Sequence, residues 1–257
     1  MILLFSPIKK CWIVSACLLL ASSSFPTVHL NHDSAVANLE QRLSQVADWI
    51  YAQYNQTLKL VRDSPIITAN KTYWLLSANL LSSVALRYYY PEISRAIYSQ
   101  LSKWGYTRNN LHEAIFGQVI SYPIRVVRDV TVYQGVNYTI MTHMFDSQTI
   151  HNDYYTYFDY LIYLALSEFW KGNRVSADEL FDIAYYSMWD GIGINDTATR
   201  KEGLYATYKL ALLLYASRIL EIPLPLADKE RVENTLWSMQ LSNGGIATKY
   251  YHYGEPA

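Results

Sequence analysis

Apolar residues recur at steps of three and four along most of the chain, and this spacing predicts seven helices. The first, Ala35 to Tyr54, keeps Val36, Leu39, Leu43, Val46 and Ile50 on one face with charged residues between them. The second, Thr72 to Tyr90, is apolar nearly all round. Pro91 suits the opening turn of the third, whose apolar set is Ile93, Ala96, Ile97, Leu101 and Trp104. The fourth, Asp153 to Trp170, has only a narrow polar stripe of Thr156, Asp159, Tyr163 and Ser167. The fifth opens on a Ser176 to Glu179 capping box and lines up Ala177, Leu180, Phe181, Ala184, Tyr185 and Met188. The sixth, Glu202 to Leu220, is again apolar almost throughout, and the seventh, Leu226 to Met239, returns to a mixed surface.

One-sided and all-round apolar helices therefore alternate. A helix surrounded by protein needs no polar face, whereas an outer one does. The expectation is a mainly α protein built of antiparallel helical hairpins in two layers. The joins have two lengths. Those leaving buried helices are short (Tyr90 to Pro91, Lys171 to Val175, Glu221 to Pro225). Those leaving amphipathic helices are long: Asn55 to Lys71, Gly105 to Asn152, Asp190 to Lys201, and everything after Leu241. In a hairpin array the long joins share one end. Within them, Val119 to Met144 alternates β-branched and aromatic residues around Gln134-Gly135, predicting a β-hairpin. Ile246 to Tyr253, after Asn243-Gly244-Gly245, predicts a second small one.

The repeated hairpins, and the stretch Leu236-Trp237-Ser238-Met239-Gln240-Leu241-Ser242-Asn243-Gly244-Gly245-Ile246, resemble the α/α-toroid proteins. These include six-hairpin glycosidases, polysaccharide lyases and terpenoid cyclases. Gln240 and Gly244 keep the spacing of the cyclase group's Gln-Gly-Trp repeat, with Ile246 where that repeat has Trp, in a single copy. No Asp-x-Asp-Asp-type signature accompanies it. The resemblance implies a toroid or partial toroid, incomplete at the C-terminus, acting on or binding polysaccharide as a glycoside hydrolase or lyase.

Composition adds a compartment. Lys9 and Lys10 precede an apolar run of 11 residues, Cys11 to Ala21, with Ala21 and Ser23 spaced for cleavage. A membrane-crossing helix needs about 20, so residues 1–23 read as a secretory leader and 24–257 as one exported domain. Val14-Ser15-Ala16-Cys17 also has the form of a lipoprotein box, but the apolar run continues past it. Cleavage removes Cys11 and Cys17, leaving no cysteine for disulfides, metal or nucleophile. It also removes two lysines, taking the formal charge from −1 to −3, which argues against nucleic acid as a partner. Sequons begin at Asn55, Asn70, Asn137 and Asn195, all in or beside the long joins. Glycans there would crowd a polymer groove. This supports a second expectation, a non-catalytic glycosylated surface or envelope protein that contacts partners.

A glycosidase needs two carboxyl groups across the scissile bond. The long joins offer Glu113, Asp129, Asp146, Asp153, Asp190, Asp196 and Glu255. Asp190, after Trp189 and flanked by Gly191 and Gly193, is the first choice, and Asp153 the second. The ordinary explanations are helix termination for Asp190 and helix-end capping for Asp153. Trp189, Asp146, Asn243, Tyr250 and Tyr251 are the matching candidates for holding substrate, with Tyr253 beside them. Core packing is the ordinary role of most of the 24 tyrosines. His143, Asp146, His151 and Asp153 form the densest set of metal-type ligands, but their spacing fits no compact motif, so no metal or cofactor is expected.

Overall fold

The computed structural model describes residues 32–63, 72–107 and 111–257, with side chains from residue 37 onward. The proposed leader and the Asn70 sequon lie outside the described residues. Helix α1 (His32–Ala52) leads into a two-residue antiparallel ladder, β1 (Tyr54–Asn55) with β2 (Leu60–Val61). Strand β3 (Thr72–Leu75) runs directly into α2 (Leu76–Ala85), followed by α3 (Pro91–Lys103) and a 3₁₀ helix over Leu111–Phe116. Strands β4 (Arg125–Gln134) and β5 (Tyr138–Ile150) form the long hairpin. After a 3₁₀ turn at Tyr154–Thr156 come α4 (Phe158–Trp170), α5 (Arg174–Met188), the short α6 (Thr197–Glu202), β6 (Tyr205–Ala206), α7 (Thr207–Ile219), α8 (Leu226–Ser238) and β7 (Lys249–Tyr250).

The mainly α, two-layer arrangement is not what forms. About 51% of the structure is helical and 19% extended, in three small sheets, so the fold is mixed α and β. Most of the extended residues lie in β4 and β5, and the rest of the difference arises where apolar runs expected to be wholly helical are partly extended. Thr72–Leu75 is extended and pairs in parallel with β5, Thr72 opposite Tyr138 and Leu75 opposite Met141, giving a three-stranded sheet in the order β3-β5-β4. Tyr205 and Ala206 likewise pair with Tyr250 and Lys249. Threonine, tyrosine and tryptophan are good strand residues once a neighbour supplies the ladder, and here each neighbour comes from another long connection.

The hairpin turns at Gly135, as its Gln-Gly step predicts, with the Gly135 amide donating to the Tyr138 carbonyl. The second hairpin does not close on itself: β7 takes β6 as its partner, and only an isolated Gln240–Ile246 bridge spans the Asn-Gly-Gly turn. Helix α5 starts at Arg174 with no side-chain cap, ahead of the expected Ser176 box.

The contrast between helices does survive. All of α2 except Val84 is buried, as are most of α4 and most of α7, while α3 and α8 bury one stripe each. One continuous apolar core runs from Leu43 and Ile50 of α1 through Leu161 and Leu164 to Leu236 and Ile246. Polar atoms inside α2 are answered locally: Asn79, 1% exposed, accepts from the Val61 amide (2.7 Å) and donates to the carbonyls of Val61 (2.8 Å) and Leu75 (3.0 Å), clamping β2 onto the helix. Helix α1 meets the end of α8: the Arg42 guanidinium donates to the Trp237 carbonyl, and the Gln240 amide donates to the Arg42 carbonyl. A Cβ at Gly244, whose φ is +86°, would collide with the Gln45 carbonyl, so this contact requires glycine. Among the described residues no helix is long and apolar enough to cross a membrane.

Candidate functional site

Asp190 sits where α5 gives way to a tight turn, and both of its carboxylate oxygens are engaged. Oδ1 accepts from the amides of Ile192 and Gly193, each at 2.9 Å, and Oδ2 accepts from the Tyr205 hydroxyl at 2.6 Å. Trp189, half-buried, bridges to Ile194 across the same turn, and Arg231 donates to the Gly191 carbonyl. Gly191 has φ +87°, a left-handed turn position. Gly193 is glycine for a different reason: a Cβ there would strike the Tyr250 hydroxyl and the Tyr205 ring. Tyr205 and Tyr250 stack at 5.3 Å, and the Tyr250 hydroxyl donates to the Ile192 carbonyl. Burial, then the hydrogen bond to Asp190, pushes the Tyr205 phenol up to about 12. The two glycines beside Asp190 therefore accommodate the protein's own tyrosines.

Asp153 is elsewhere and half exposed, with Oδ1 3.0 Å from Nδ1 of His151. It does not cap α4; the 3₁₀ turn intervenes. No hydrogen bond or ion pair among the described residues joins Asp153 to Asp190. Asp146 accepts from the Gln148 amide, which holds its carboxyl below the usual range, with Arg128 at 3.8 Å as a weaker partner. Asn243 turns its Oδ1 back to the Gly245 amide. Of the last tyrosines, Tyr250 is wholly buried, whereas Tyr251 and Tyr253 are 39% and 58% exposed and stack on one another at 5.1 Å with their rings 9° apart. Their loop is pinned by the Tyr251 amide to the Glu255 carbonyl and the Ala257 amide to the Lys249 carbonyl.

Sequence reasoning passed over Asp196, a carboxylate with four hydrogen-bond partners. Its Oδ1 caps α6 through the amides of Ala198 and Thr199, both at 3.1 Å. Its Oδ2 accepts from the Phe158 amide at the start of α4 (3.1 Å) and from Lys209 Nζ in α7 (2.5 Å). Asp196 and Lys209 expose 0% and 1% of their side chains. Burial alone would raise the Asp196 carboxyl, but Lys209 and the amides of Thr199 and Phe158 bring it below the ordinary range. The signal was available: a lysine inside the apolar run of α7 calls for a buried anion.

Beside this pair the Tyr208 hydroxyl donates to Asp159 (2.7 Å). Further along, His112 lies edge-on to Tyr163 and stacks on His143 at 5.5 Å, and His143 Nε2 is 3.0 Å from Asp129. Burial, reinforced by His143, lowers the His112 imidazole to about 3. His143 and Tyr163 expose only 4% and 2% of their surface, so this polar belt faces other protein groups. Among the described residues no three His, Cys, Asp or Glu are grouped to hold a metal ion.

Of the sequons, Asn137 is exposed at the hairpin tip next to Val136, which is 96% exposed. Asn55 and Asn195 are half-buried. Asn55 uses its Oδ1 to accept from the amides of Thr57 and Leu58. Comparison of the chain with family models, curated proteins and solved structures finds no match.

Proposed function

We propose that this is an exported glycoprotein that binds polysaccharide at its surface without cleaving it. The observation that carries the reading is the Tyr251–Tyr253 pair: two exposed, nearly parallel rings stacked on one another, on a loop held at both ends. Aromatic faces presented in this way take up the apolar face of a sugar ring, and a pinned loop loses little entropy on binding. Binding is favoured over hydrolysis because Asp190 spends both oxygens on the amides of its own turn and on Tyr205.

The test is retention on a panel of insoluble polysaccharides. Replacing Tyr251 and Tyr253 together by Ala should weaken binding by about tenfold or more, at roughly 1.4 kcal/mol per factor of ten. Asp190→Asn and Asp153→Asn should leave it within about twofold. Sugar release that either Asp variant abolishes would replace the binding reading with hydrolysis, and absence of retention on every polysaccharide would remove it. A second reading, protein-partner contact, has its own support at the hairpin tip, where Val132, Tyr133 and Val136 are exposed beside the Asn137 sequon.

A further inference from the structure

The seam between α1 and the end of α8 holds two adjoining clefts of about 460 and 250 Å³, which share Asn38, Arg42 and Trp237. Their chemistry is unusual for this protein. Among the described residues, five side-chain amides, from Asn38, Gln41, Gln45, Asn234 and Gln240, line them together with Ser238 and Ser242, and Arg42 is the only charged side chain. Arg42 lies over the Trp237 ring at 5.4 Å, so guanidinium and indole form a single wall. The groove is built: Arg42 Nε is fixed by Asn38 (3.2 Å), and the backbone on either side is tied by the Arg42–Trp237 and Gln240–Arg42 hydrogen bonds.

An amide carries a donor and an acceptor side by side, which suits vicinal hydroxyl groups; Asn38 Oδ1 and Gln240 Nε2 are engaged by Arg42, so Asn38 contributes its donor while Gln41 and Gln45 contribute both, and a lining free of carboxylates does not select for cations. We propose that this groove binds a neutral carbohydrate chain, through the amides of Asn38, Gln41 and Gln45 and the Trp237 wall. The inference rests on the carbohydrate-binding reading above but concerns a second site, separate in sequence and chemistry from the tyrosine pair.

The experiment is a titration of the ¹⁵N-labelled full chain with gluco-, xylo- and manno-hexaose, following the Trp237 indole N–H, assigned by its loss in Trp237→Phe. At least one hexaose should shift that signal. Asn38→Ala with Gln41→Ala, both on the exposed side of α1, should weaken the response by about tenfold or more, while Tyr251→Ala with Tyr253→Ala leaves it in place. The proposal is overturned if no hexaose moves the signal, or if the Asn38/Gln41 variant responds like the parent. It is also overturned if an extended peptide pool moves the signal and no sugar does. Retention lost only through the tyrosines would retire the groove and keep the platform; a groove response without any tyrosine effect would do the reverse.

Discussion

Lys209 Nζ lies 2.5 Å from Asp196 Oδ2, with both side chains withdrawn from solvent, and the same carboxylate receives backbone amides from the first turns of α4 and α6. Three helices thus converge on one anion. Removing one member of such a pair leaves the other as an uncompensated buried charge. Lys209→Met should cost about 3–5 kcal/mol in urea unfolding. Combining it with Asp196→Asn, which keeps a capping oxygen and removes the charge, should recover part of that loss. Full additivity of the two single losses would show that the pair is not coupled.

Acid stability should fall in two stages. The His112 imidazole is lowered from 6.5 to about 3 in the folded protein, so between these values the unfolded chain binds the extra proton. Stability is therefore at its full level above pH 6.5 and declines steadily as pH drops towards 3. Asp196 adds its own loss below the ordinary aspartate value near 3.9, because its folded carboxyl is held lower still. Unfolding free energies of the parent and of His112→Gln, measured from pH 7 to 4, check this: the variant should have a flatter profile. An equal slope in both would assign the decline to other groups.

Around Asp190 the expected effects are on stability. Asp190→Ala strips acceptors from two amides and from Tyr205, at a cost of about 1–3 kcal/mol. Asp190→Asn retains the turn acceptor and should cost about 1 kcal/mol or less. Thermal melts of the two variants decide it; equal losses would mean that the turn hydrogen bonds contribute little.

Gly193→Ala should destabilise by about 1–3 kcal/mol, since its methyl group meets the Tyr250 hydroxyl and the Tyr205 ring. Tyr250→Phe removes one of those obstacles, so the double variant should be more stable than the sum of the two single losses predicts. A strictly additive double variant would place the clash elsewhere.

Asn79 provides a test of the β2 clamp. Asn79→Leu suits the apolar helix but orphans the buried amide and carbonyl of Val61, and should cost about 2–4 kcal/mol. Val61 amide exchange should accelerate in step. Unchanged protection at Val61 would show that its hydrogen bonds are replaced.

Residue order alone marked the central stretches of seven helices and which of them lose contact with water, because a 3.6-residue repeat and its absence of polar positions are properties of a single segment, but not the helix Thr197–Glu202, most of which lies in a stretch read as a join. It likewise set the long hairpin, whose alternation and Gln-Gly turn are local. It could not settle that Thr72–Leu75 and Tyr205–Ala206 are strands, since a short apolar run suits either state and the ladder partners are 66 and 45 residues away, at Tyr138 and Tyr250. It put Asp190 forward for its glycines, whereas only the packed tyrosines explain them. It left Asp196 among seven loop carboxylates, because what distinguishes it, the Phe158 amide and Lys209, arrives from other helices. Tertiary structure decided every relationship in which a hydrogen bond or a packed surface needs a partner distant in sequence, and the mixed sheet, the three-helix anion and the amide-lined seam are all of that kind.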